Sequence, residues 1–106
     1  MASTVHVAHA HKHRGSRWAD DKDALASMTA KVSGNMASYA SLIESHYFKG
    51  PYVLGESYSL CDPYLALITR WMGPDGVSLD DYPKLKAHDA LMKTRPSVQA
   101  VLPLYE

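Results

Sequence analysis

The sequence holds a single cysteine, Cys61, which excludes an internal disulfide and suits a reducing compartment. It has no net charge: eleven basic residues balance eleven acidic ones. No overall field therefore draws the chain to nucleic acid or to a membrane surface. No apolar run approaches the roughly 20 residues that span a bilayer. The first residues alternate small side chains with histidines, and lack the apolar core of a signal peptide. Strand-type alternation, internal repeats and low-complexity stretches are missing as well. These absences leave a soluble, cytoplasmic, all-α protein with no nucleic-acid or membrane partner as the expectation. With 106 residues, 46% of them hydrophobic, one domain with a modest core spans 1–106.

The most informative stretch is Gly55-Glu56-Ser57-Tyr58-Ser59-Leu60-Cys61-Asp62-Pro63-Tyr64-Leu65 and the apolar run that follows it to Met72. Ser59 and Asp62 stand three apart ahead of that run, the spacing of a reciprocal helix cap. Tyr58 and Pro63 are placed to staple the same helix start. Leu60, Cys61, Tyr64, Leu65, Leu67, Ile68, Trp71 and Met72 leave Arg70 as the one clearly wet position. A helix over 59–72 that is apolar on nearly every face is expected at the buried centre of a bundle.

Around it the pattern predicts about five helices. Residues 1–13 form a short one, with His6, His9 and His13 along one side, stopped at Gly15. Asp20 or Asp21 caps the next, which runs to about Phe48 on a stripe of Leu25, Met28, Val32, Met36, Tyr39, Ile43 and Tyr47. Its flank of Ala26, Ala30, Ser33, Gly34, Ala37, Ser38 and Ser41 is small enough to admit a second partner, and Gly34 hints at a close contact. Lys49-Gly50-Pro51 breaks this helix, and Tyr52 to Gly55 reads as an extended connector. Gly73-Pro74-Asp75-Gly76 ends the central helix. Pro83 opens a helix carrying Leu85, His88, Leu91 and Met92, and Pro96 opens a last one with Val98, Val101 and Leu102 on its apolar side.

Several residue groups have the chemistry of a site. His6, His9, His11 and His13 lie within eight residues, and His9 with His13 has the i, i+4 spacing of a metal pair. No Cys, Asp or Glu stands beside them in sequence to complete a shell, so no metal site is expected and the plainer reading is a solvated groove rim. Trp71 offers either a core side chain or a large pocket wall with one polar N–H. Arg14, Arg17 and Trp18 make a basic-aromatic loop with the chemistry to meet a carboxylate or a partner surface, and the plainer expectation is anchoring by its own aspartates. Cys61, beside Leu60 and Tyr64, reads as a buried structural thiol. Ser59 and Asp62 are assigned to folding, at about 1 kcal/mol each. No catalytic residue is expected.

The segment Gly55 to Leu65 resembles the opening of the central helix in the C-terminal domain of glutathione S-transferases. Tyr82-Pro83-Lys84-Leu85 and Arg95-Pro96-Ser97-Val98-Gln99-Ala100-Val101-Leu102 resemble that domain's closing helices. The likeness covers essentially the whole chain and is nearest to bacterial, beta-like members. It implies a helical bundle whose first helix is truncated here, without the thioredoxin-like domain that activates glutathione. The chain alone is then not expected to be catalytic and binds no cofactor, with glutathione the cosubstrate of the parent family. The resemblance implies that His6 faces the cleft between domains and that Trp71 borders the pocket for a small hydrophobic electrophile. His9 is grouped with them as substrate-binding. Thr4 stands where an acidic residue often reaches a neighbouring subunit's glutathione. The implied partners are a second copy of the chain or a thioredoxin-like domain; the alternative function is a non-catalytic interaction or dimerisation module of the same fold.

Overall fold

The computed structural model describes residues 1–105, and among them there are five α-helices and no named strand. They are α1 (Val5–Ala10), α2 (Lys22–Leu42), α3 (Cys61–Met72), α4 (Pro83–Lys93) and α5 (Pro96–Val101). Asp21 caps α2 by accepting the Ala24 N–H at 3.0 Å, and a π turn from Ile43 to Tyr47 extends that helix. The core joins one side of each long helix. Val32, Met36, Ala40 and Ile43 meet Leu65, Ile68 and Met72 of α3 and Leu85 of α4, while α1 contributes Val5 and Ala8. No helix is long and apolar enough to cross a membrane among the described residues.

The start of α3 is the deepest polar feature. Asp62 is fully buried. Its Oδ2 accepts the Ser59 N–H at 2.8 Å, closing the back half of the cap. Its Oδ1 accepts the Val53 N–H at 2.9 Å and lies 2.9 Å from Nε2 of His88, itself buried on α4. Ser59 Oγ accepts from Cys61 N–H at 3.3 Å, not from Asp62. Asp62 thus ties together the connector, the start of α3 and α4, so the 1 kcal/mol of a surface cap undervalues it. The Tyr58 ring packs with Tyr52 and carries the Arg95 guanidinium 3.7 Å above its centre, while Pro63 is exposed. The connector is no extended strand either: Tyr52 and Gly55 exchange N–H···O bonds in a tight turn, with Gly55 at a φ of 132°.

A carboxylate also starts α4. Pro83 occupies the first turn, and Glu44, from the π turn, accepts the Lys84 and Leu85 N–H groups at 2.7 and 2.9 Å. Other expectations fail on exposure. Leu60 is 88% exposed and Leu67 44%, so α3 has a wet face wider than Arg70. Tyr47 is exposed, and α5 buries none of its residues. Cys61 is a half-buried free thiol, not a buried one. Part of the small flank of α2 is taken up within the chain: the Tyr82 hydroxyl donates to the Ala37 carbonyl at 3.2 Å and lies 3.4 Å from Ser41 Oγ. Ala26, Ala30, Gly34 and Ser38 face outward, and a Cβ on Gly34 would meet nothing within 4 Å, so no neighbour requires that glycine.

Candidate functional site

α1 is six residues long and lies beside α3. Its inward positions, Val5 and Ala8, are spent on the core. His6, His9 and His13, offset by three and four residues, fall on the side facing a cleft of about 630 Å³. From α3, Tyr64 and Trp71 stand seven apart and so share one stripe. The His6 ring lies tilted against Trp71 with centroids 5.0 Å apart. His6 Nδ1 and the Tyr64 hydroxyl are hydrogen-bonded at 2.8 Å. His9 stacks flat on Trp71, at 4.1 Å between centroids and 3° between planes.

The stack is held from behind by Asp75. The turn after α3 places it there: its N–H donates to the Trp71 carbonyl at 3.0 Å, and Gly76 follows with a φ of 93°. The Asp75 side chain has no solvent exposure, and Oδ2 lies 2.5 Å from His9 Nδ1. A carboxylate only accepts, so Nδ1 carries the hydrogen and Nε2 is the ring's remaining polar atom. Lys12 Nζ stands 3.5 Å from Asp75 Oδ1 and also donates to the Pro74 carbonyl. One buried carboxylate therefore fixes the ring angle of His9 and clamps the end of α1 to the end of α3.

The far wall of the cleft is the loop after α1. Arg14, Arg17 and Trp18 line it together with Trp71, and the His11 ring rests on Trp18 at 4.2 Å. The expected anchoring by aspartates is absent: Arg14 and Arg17 form no ion pair or side-chain hydrogen bond among the described residues. Asp21 instead serves the α2 cap. His6, His9 and Trp71 thus share one cleft, and Ser59 and Asp62 lie at the other end of α3. Sequence reading missed Asp75, Lys12 and Tyr64 as parts of this site. Among the described residues no three His, Cys, Asp or Glu side chains are grouped to hold a metal ion. Thr4 lines a different, mostly apolar cavity of about 400 Å³, with Val5, Tyr39, Ile43, Val53 and Leu65.

No family model matches the chain, and no curated protein matches it. A solved structure does: a glutathione transferase homolog from Sulfitobacter, crystallised with bound glutathione. It is 51% identical, superposes with a TM-score of 0.93 and covers 94% of this chain. The chain spans 48% of that protein's length.

Proposed function

This chain is a helical domain of the glutathione S-transferase C-terminal type, and from that premise we propose that its cleft forms one wall of the pocket holding an electrophile beside glutathione. The observation that carries the reading is the convergence of His6, His9 and Trp71 on one cleft. The reaction served is attack of the glutathione thiolate on the electrophile. In this reading, thiol activation belongs to a thioredoxin-like domain outside these 106 residues. The chain's own residues bind and orient. The Trp71 face, stiffened by the His9 stack, limits where a planar acceptor can lie, and such restriction is what positioning contributes to rate. His6, held by Tyr64, presents a polar edge beside it. In the same reading the outward small-residue flank of α2 meets a second copy of the chain, and the protein works in the cytoplasm.

Calorimetry on the 106-residue chain tests this. Glutathione alone is expected to give no heat, because its anchors lie in the thioredoxin-like domain. S-Hexylglutathione, whose tail enters the cleft, is expected to bind saturably. Trp71→Ala should weaken it roughly tenfold, since an aromatic wall contributes on the order of 1 kcal/mol beyond its area. A conjugate that does not bind, or binds Trp71→Ala equally, contradicts the proposal.

A further inference from the structure

We infer that the cleft selects electrophiles bearing an acid group on a planar aromatic ring, with Arg14 and Arg17 receiving the acid. This rests on the reading of the cleft as an electrophile pocket and narrows it. The chain as a whole is neutral, yet among the described residues no carboxylate lines the cleft, whereas two guanidiniums and three imidazoles do. Asp75, which holds His9, is buried behind that ring, with Oδ2 against His9 and Oδ1 toward Lys12.

The loop is built to present the two arginines together. The Arg14 N–H closes onto the Ala10 carbonyl at 2.8 Å, and Gly15 to Arg17 form a single 3-10 turn. Residues three apart on such a turn share a side. Gly15 is buried against α2, where a Cβ would come within 3.1 Å of Leu25 Cδ2 and 3.2 Å of Met28 Sδ. The absence of that Cβ lets the loop settle on α2 and turn Arg14, Arg17 and Trp18 to the cleft. Guanidinium forks match a carboxylate or sulfonate in two parallel hydrogen bonds. Trp18 on one side and the Trp71–His9 stack on the other supply flat apolar walls for the ring. An uncharged apolar acceptor would use the walls and leave both guanidiniums idle.

The test is a matched pair, 2-naphthoate and its neutral analogue 2-naphthamide, titrated into the chain. Both tryptophans line the cleft, so their two indole N–H signals report binding there. The naphthoate is expected to bind about tenfold more tightly, the size of one charge-assisted contact. The Arg14→Gln/Arg17→Gln double variant should abolish the preference, weakening the naphthoate much more than the amide. Added salt should weaken the naphthoate alone. If both ligands bind equally, or the preference survives the double variant, acid selection is wrong while the pocket reading stands. If neither moves an indole signal, the pocket reading fails and takes this inference with it.

Discussion

Asp62→Ala is expected to cost about 3–5 kcal/mol, the usual penalty for removing one partner of a buried pair. Asp62 is fully buried and receives N–H groups from Val53 and Ser59 as well as the His88 ring. Deleting it leaves two buried groups, the Val53 N–H and the His88 ring, and the half-buried Ser59 N–H without their acceptor. A domain of this size has on the order of 5–15 kcal/mol in total. The melting temperature should therefore fall by at least about 12 °C. His88→Ala should cost less, because the two backbone donors still hold the carboxylate. A melting temperature for Asp62→Ala within a few degrees of the parent would show that the cap is peripheral.

The same group sets the acid limb. Burial pushes the Asp62 carboxyl up, but the Val53 and Ser59 N–H groups and His88 outweigh it and hold it below the ordinary carboxylate range. A carboxyl lowered by folding contributes fully above its unfolded pKa, and that contribution is lost as pH falls through the folded value. Stability of the parent chain should thus decline below about pH 4, and the curve for Asp62→Ala should be flatter there. Equal acid limbs in urea titrations of the two proteins would remove Asp62 from the account.

Asp75→Asn is the second large effect, expected at about 2 kcal/mol, the scale of a hydrogen bond to a charged group. It keeps the side chain's size and removes its charge from His9 and Lys12. An isolated helix of six residues does not persist in water, so α1 depends on Val5, Ala8 and this clamp. Local release of α1 should accompany the loss. The Trp71 indole N–H signal is expected to move as His9 leaves its face, and amides of α1 should exchange faster than those of α2. A change below 0.5 kcal/mol, the range of an ordinary surface substitution, with Trp71 unmoved, would mean that the His9 stack stands without Asp75.

The helices were legible because their apolar spacing is a local property: Val32, Met36 and Leu85 lie buried on the stripes that the pattern marked. The Ser59–Asp62 spacing was legible for the same reason. Its depth was not, because His88 is 26 residues away and a histidine on an apolar stripe carries no sign of its partner. The resemblance points to His6 and Trp71, and the helical offset of His9 from His6 fits the same cleft. Asp75 was hidden by its setting. Gly73-Pro74-Asp75-Gly76 reads as a turn in which aspartate is an ordinary choice, and its partner His9 is 66 residues away. Buried Met72 and Val77 on either side are the one local hint that this turn faces inward. The aspartates near Arg14 and Arg17 misled for the converse reason, since proximity in sequence did not become an ion pair. Leu60 and Leu67 are apolar yet exposed, as apolar atoms make up much of any folded surface.

The most direct measurement is of intermolecular NOEs between the hexyl chain of S-hexylglutathione and the 106-residue protein. Contacts to the rings of Trp71, His6 and His9 are the expected result, and they would place the tail in the cleft that Asp75 braces. Contacts confined to Val5, Tyr39 and Ile43 would place it in the second cavity and contradict the assignment of the cleft as the electrophile's site.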